Sequence, residues 1–138
     1  MRIRLAVVLL LLATPVMAEG SSAGYGGGGW YEQFHPIVEQ YNRSGELFRI
    51  VGNCQSACTM FLGIRNVCIG PDATLRFHAG KDKQGNMSAV ATSRMLATYN
   101  GRLRAYLAAT HAMDTFAFTA VSGADMVRKF GYRACPAK

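Results

Sequence analysis

From Leu47 to Ile64 the chain reads LFRIVGNCQSACTMFLGI, and this stretch constrains the fold more than any other. An apolar β-type run, ELFRIV, ends at Gly52. A second apolar run, ACTMFLGI, is long enough for a buried helix of two turns. Both are too apolar to be left in water, so a strand must hand over to a helix within a few residues. Ser56 stands at that junction, two residues from Cys54 and two from Cys58. Serine is a preferred helix cap. The local pattern favours that reading over the alternative, a nucleophile, for which the site is suited because the first N–H groups of a helix lack partners and its dipole favours negative charge. The N–H of Ala57 would then be placed to stabilise an oxyanion.

The rest of the chain alternates in the same way. Tyr31, Phe34, Val38 and Tyr41 share one helical face, with Pro36 required in the first turn or at a kink and Gly45 as the stop. NVCI, residues 66–69, is a second strand. GPDA, 70–73, has turn chemistry, and TLRFH, 74–78, is a third strand. AGKDKQGN reads as a solvated loop. Residues 87–111 read as one long helix with Leu96, Tyr99, Leu103, Tyr106 and Leu107 on its core face and Arg94, Arg102 and Arg104 mostly turned away. Gly101 weakens that helix by about 1 kcal/mol. A short helix over Ala124–Phe130 ends at Gly131. Helices alternating with short strands define the α/β class.

The N-terminus bears on where such a chain works. A basic start, a twelve-residue apolar core and Val16-Met17-Ala18 read as a secretory signal peptide, residues 1–18. The apolar core is too short to span a membrane. Residues 19–29, EGSSAGYGGGG, are a flexible segment by composition, and 30–138 form one domain. Loss of Arg2 and Arg4 lowers the formal charge from +7 to +5. The remaining basic residues are scattered, which argues against a nucleic-acid footprint. In an oxidising compartment four cysteines imply two disulfides. A metal site on Cys54, Cys58, Cys68 and Cys135 with His78 has the wrong spacing for zinc. Three pairings are possible; Cys58–Cys68 with Cys54–Cys135 is the expectation.

A nucleophilic serine needs a base. Among His35, His78 and His111, only His78 ends a strand before a glycine-containing loop, where α/β folds gather their sites. The block GNCQSACTMFLGIRNVCIGPDATLRFHAG, 52–80, resembles the catalytic heart of the Clp protease proteolytic subunit, within the ClpP/crotonase superfamily. It is closer still to small exported bacterial proteins with the pattern C-x-S-A-C-T…V-C…A-x-L-x-F-H-A and a C-terminal cysteine. The likeness covers roughly residues 27–133.

That resemblance implies a small, truncated, disulfide-braced ClpP/crotonase-like α/β domain. It also implies an exported serine hydrolase, peptidase-like, in the periplasm or outside the cell. Ser56 is the implied nucleophile and His78 its base. The oxyanion donors are Ala57 with Gly28 or Gly29. The family's aspartate is missing: that region reads FAFTAVSG, Thr119 falls nearest, and Asp114 is the substitute. Loss of the orienting carboxylate favours a second expectation, an inactive binding or structural module on the same fold. No metal or cofactor is implied. The implied partner is a peptide or small acyl substrate, with no nucleic acid, and no membrane once the signal is removed. A homo-oligomer stays open. The region used for ring stacking is short, so neither large-ring assembly nor a partner ATPase is implied.

Overall fold

A computed structural model describes residues 19–138; the segment read as a signal peptide lies outside the described residues. The described residues build two three-stranded sheets. In the first, β1 (Gly20–Ser21), β2 (Phe48–Ile50) and β4 (Val67–Ile69) run parallel in the order β1-β2-β4. In the second, β3 (Asn53–Gln55) lies parallel to β5 (Thr74–Phe77), which pairs antiparallel with β6 (Thr119–Ser122). The chain passes from the first sheet to the second twice, from β2 to β3 at Gly52 and from β4 to β5 through Gly70–Ala73. The two passages are laced together. Gly70 N–H donates to Ile50 O at 2.8 Å, and Thr74 N–H donates to Gly52 O at 2.9 Å. The mixed α/β class expected from the alternation is therefore present, as a small single domain with two disulfides.

Helix α1 (Tyr31–Ser44) buries Phe34 and Val38 and part-buries Tyr31 and Tyr41, the face its spacing requires. Pro36 lies inside the helix, beyond its first turn. Phe34 meets Phe61 with ring centroids 5.2 Å apart, and Phe61 meets Phe48 at 4.5 Å. Each such ring contributes about 2–3 kcal/mol by leaving water, so α1, β2 and the segment after Ser56 are pinned at one point. That segment is a 3-10 helix over Ser56–Gly63, with Ala57 to Leu62 all buried.

The single helix expected over 87–111 is two: α2 (Ala89–Leu96) and α3 (Gly101–Ala109). Asn100 causes the break. Its side chain accepts from Leu103 N–H at 3.0 Å, capping α3, and donates to Phe130 O at 2.7 Å. Periodicity could not show this, because Tyr99, Leu103 and Leu107 remain buried across the break. Helix α4 (Gly123–Arg128) closes the domain. Among the described residues, no helix is long and apolar enough to cross a membrane.

Two other expectations are corrected. Residues 19–29, flexible by composition, are built into the fold: Gly20 and Ser21 form the edge strand of the first sheet, and Gly26 lies along β3. The disulfides are Cys54–Cys58 and Cys68–Cys135, not the pairing expected. Cys54 ends up in the second sheet, whereas the C-terminal tail joins the first. Cys135 N–H donates to Ile69 O at 2.9 Å, which lays Cys135 beside Cys68 on β4.

Candidate functional site

A cleft of about 660 Å³ opens where the glycine run, the β3-to-3-10 junction, the loop after β5 and α2 meet. Ser56, Ala57, His78, Gly28 and Gly29 all line it. The folding that brings them together starts at Ser56, whose φ is +56°. A serine pays roughly 1–2 kcal/mol for that left-handed conformation. The surroundings impose it from three sides. The Cys54–Cys58 disulfide ties the strand before Ser56 to the helix after it. Thr59 Oγ1 donates to Ser56 O at 2.6 Å and is bonded in turn to the buried Tyr99 hydroxyl at 2.5 Å. Burial raises the Tyr99 pKa well above the ordinary phenol value, so it stays a neutral donor. The third constraint is Gly28.

The Ser56 hydroxyl does not cap the helix. Gln55 is the cap residue, with no side-chain cap bond, and Ser56 Oγ has no hydrogen-bond partner among the described residues. A strained strand-to-helix turn with a free hydroxyl is the geometry of an elbow that presents a nucleophile. Ala57 N–H belongs to the first turn of the 3-10 helix, ahead of its first internal hydrogen bond.

The glycine run lies against this turn. Gln55 N–H donates to Gly26 O at 3.0 Å, and a Cβ on Gly26 would fall 2.2 Å from Asn53 O. Gly28 N–H is already spent on Tyr25 O at 3.0 Å, so Gly28 is not the second oxyanion donor. Gly29 N–H has no partner among the described residues and remains as the candidate. Gly28 matters sterically instead. Its φ is +78°, and a Cβ there would lie 2.8 Å from Gln55 O and 2.9 Å from Ser56 Cβ. Gly28→Ala is expected to cost about 2 kcal/mol in a urea titration, from the left-handed penalty plus the contact with backbone. A neutral result would mean that the glycine run does not hold the turn.

His78 follows β5 directly and is 8 % exposed. Neither ring nitrogen is accessible or has a hydrogen-bond partner among the described residues, so no Ser56–His78 hydrogen bond exists in this geometry. The ring packs edge-on to Phe118, 4.8 Å away, and 6.2 Å from Phe116. Burial lowers the His78 pKa, and the nearby Lys81 charge lowers it further. The neutral ring is thus the folded form. Its stabilising contribution is complete above the unfolded histidine value of about 6.5 and is lost as pH falls below it toward the folded value. His78→Phe is expected to flatten the decline in unfolding free energy on that acid side. An unchanged slope below pH ~6.5 would show that His78 is not the group charging there.

Asp114 is not brought to His78. Its carboxylate bonds His111 Nδ1 at 2.9 Å, and both partners are exposed. The turn after α3 pairs the two within one surface loop, so the Asp114 carboxylate is spent on His111, although the chain next to it reaches β5: Ala79 N–H donates to Thr115 O at 2.8 Å. Thr119 sits at the start of β6 opposite Phe77. All four cysteines are held in disulfides, which leaves none for a metal or a free thiol.

Several lining residues carried no functional signal in the sequence. Lys81, Asp82 and Lys83 sat in a loop read as solvated, and Arg94 on a face read as outward. Trp30 and Phe118 also line the cleft, exposed by 41 % and 45 %. The one available hint was FAF, residues 116–118, too apolar for an ordinary surface loop. Compared with known proteins, the chain matches no family model and no curated sequence at a significant level.

Proposed function

We propose that the cleft is the acyl-transfer site of an exported serine hydrolase of ClpP/crotonase kind, peptidase-like, acting on a peptide or small acyl substrate. The observation that carries this reading is Ser56 held at φ +56° with an unbonded hydroxyl, in one cleft with the unpartnered imidazole of His78. The two sheets linked by paired passages at Gly52 and Gly70, and the disulfides suited to an oxidising compartment, support it.

In the proposed reaction Ser56 Oγ attacks the substrate carbonyl carbon and its proton passes to His78. The oxygen that gains the charge is met by the N–H groups of Ala57 and Gly29. Collapse of the adduct breaks the acyl bond, and His78 returns the proton to the leaving group. Water then releases the acyl group from Ser56 by the same route. His78 must turn from under Phe118 to reach Ser56; such hydrogen bonds often tighten only when substrate is bound.

The engagement of Asp114 with His111 favours a second reading, a binding module on the same scaffold. A fluorophosphonate probe separates the two. Covalent labelling of the oxidised protein that disappears in Ser56→Ala supports the hydrolase. An unlabelled parent protein supports the binding module.

A further inference from the structure

We propose that the cleft selects a peptide or acyl segment that carries a carboxylate next to an apolar side chain. The assignment rests on the hydrolase reading only for the place of the reacting carbonyl. Three cations, Lys81, Lys83 and Arg94, line the cleft, and none forms an ion pair among the described residues. Arg94 is oriented: its guanidinium stands 4.6 Å over the Tyr31 ring, which occupies one face and leaves the N–H edge for a planar acceptor. Lys81 is placed by backbone, through its bridge to Met87 and the bond from Ser88 N–H to Gly80 O at 2.9 Å.

Two acidic groups also line the cleft, and one of them, Asp82, is engaged by its own loop. Asp82 Oδ1 accepts from the N–H groups of Gln84 and Asn86, both at 2.9 Å. Glu32 stands in the first turn of α1, exposed and without an ion pair among the described residues, so the three cations outnumber the two carboxylates. The mouth beside these cations is apolar. Trp30, Val90 and Phe118 line it and are 41 %, 63 % and 45 % exposed. Phe116 adds a third exposed ring, 6.2 Å from His78. An imidazole that is 8 % exposed, with both nitrogens unsatisfied, marks the floor as a place completed by something else. A cationic wall facing an apolar mouth fits a ligand with both characters side by side.

Trp30 is the only tryptophan and lines the cleft, so its fluorescence reports occupancy without turnover. Purified Ser56→Ala protein is titrated with acetyl-Leu-Glu-amide, acetyl-Leu-Gln-amide and acetyl-Ser-Glu-amide, followed by Trp30 emission and by heat of binding. The Leu-Glu peptide is expected to bind about fivefold tighter than Leu-Gln, the scale of two exposed ion pairs. That preference disappears in the double variant Lys81→Gln, Arg94→Gln, and it shrinks in high salt. The Ser-Glu peptide binds more weakly than Leu-Glu. Equal affinity for Leu-Glu and Leu-Gln overturns the proposal, as does the absence of binding heat with every peptide. A parent protein that takes the fluorophosphonate but shows no preference for the acidic peptide removes only this subsite. An acid preference in a protein that is never labelled removes only the hydrolase reading.

Discussion

Ser56→Ala and His78→Ala are each expected to lower ester hydrolysis by about 100-fold, while Asp114→Ala leaves it roughly unchanged. The size follows from two general magnitudes. Removing the serine or the histidine of a complete triad costs about 10⁶ in turnover. Losing only the orienting carboxylate costs about 10⁴. Among the described residues His78 has no carboxylate partner, so on the proposed mechanism the parent protein would work near the lower level, with about 10² left for Ser56 and His78 to contribute together. On that mechanism the two would act as one unit, so the double variant should be no worse than either single one. Asp114 is expected to have little influence because its carboxylate is bonded to His111 at the surface. Initial rates on an activated ester for the four proteins decide the matter. A loss in Asp114→Ala as large as in His78→Ala would mean that the carboxylate reaches His78 in the working enzyme. Equal rates in the parent and Ser56→Ala would end the serine mechanism.

Removing Cys68–Cys135 is expected to cost about 4 kcal/mol, and removing Cys54–Cys58 about 2 kcal/mol. The two bridges span sequence separations of 67 and 4 residues. Chain entropy grows with the logarithm of the loop closed, so the long bridge restricts the unfolded chain more. It also fixes the tail to β4, through Cys135 N–H on Ile69 O. For a domain of this size the long bridge corresponds to a fall in Tm of roughly 15 °C. Thermal unfolding of Cys68→Ala, Cys135→Ala against Cys54→Ala, Cys58→Ala gives the comparison. The short bridge has a different consequence. It flanks Ser56 on both sides, so its removal should slow fluorophosphonate labelling more than its stability cost suggests. The reverse order of stabilities would show that the local bridge, not the long one, carries the fold.

Much of the architecture was legible because it is written in local chemistry. The apolar runs before and after Gly52 had to be buried, and they became β2 and the helix that carries Ser56. The spacing of Phe34 and Val38 gave the buried face of α1, and GPDA gave the passage into β5. The strands β1, β3 and β6 were not legible. They are two to four residues long, and hydrogen bonds to partners far along the chain define them. The break at Asn100 was hidden because a cap is a single side chain set against Phe130 and Tyr132, thirty residues on.

The candidate site divides along the same line. By itself the sequence determined that Ser56 would sit at a strand-to-helix junction and that His78 would end a strand, because apolar patterning and turn residues act over a few positions. Only the tertiary structure decided the rest: that Cys54 bridges to Cys58, that Gly28 spends its N–H on a turn, that Asp114 turns to His111, and that Lys81 and Arg94 share the cleft. Each of these depends on which distant segment arrives alongside, and burial and hydrogen bonding settle that only once the whole chain has packed.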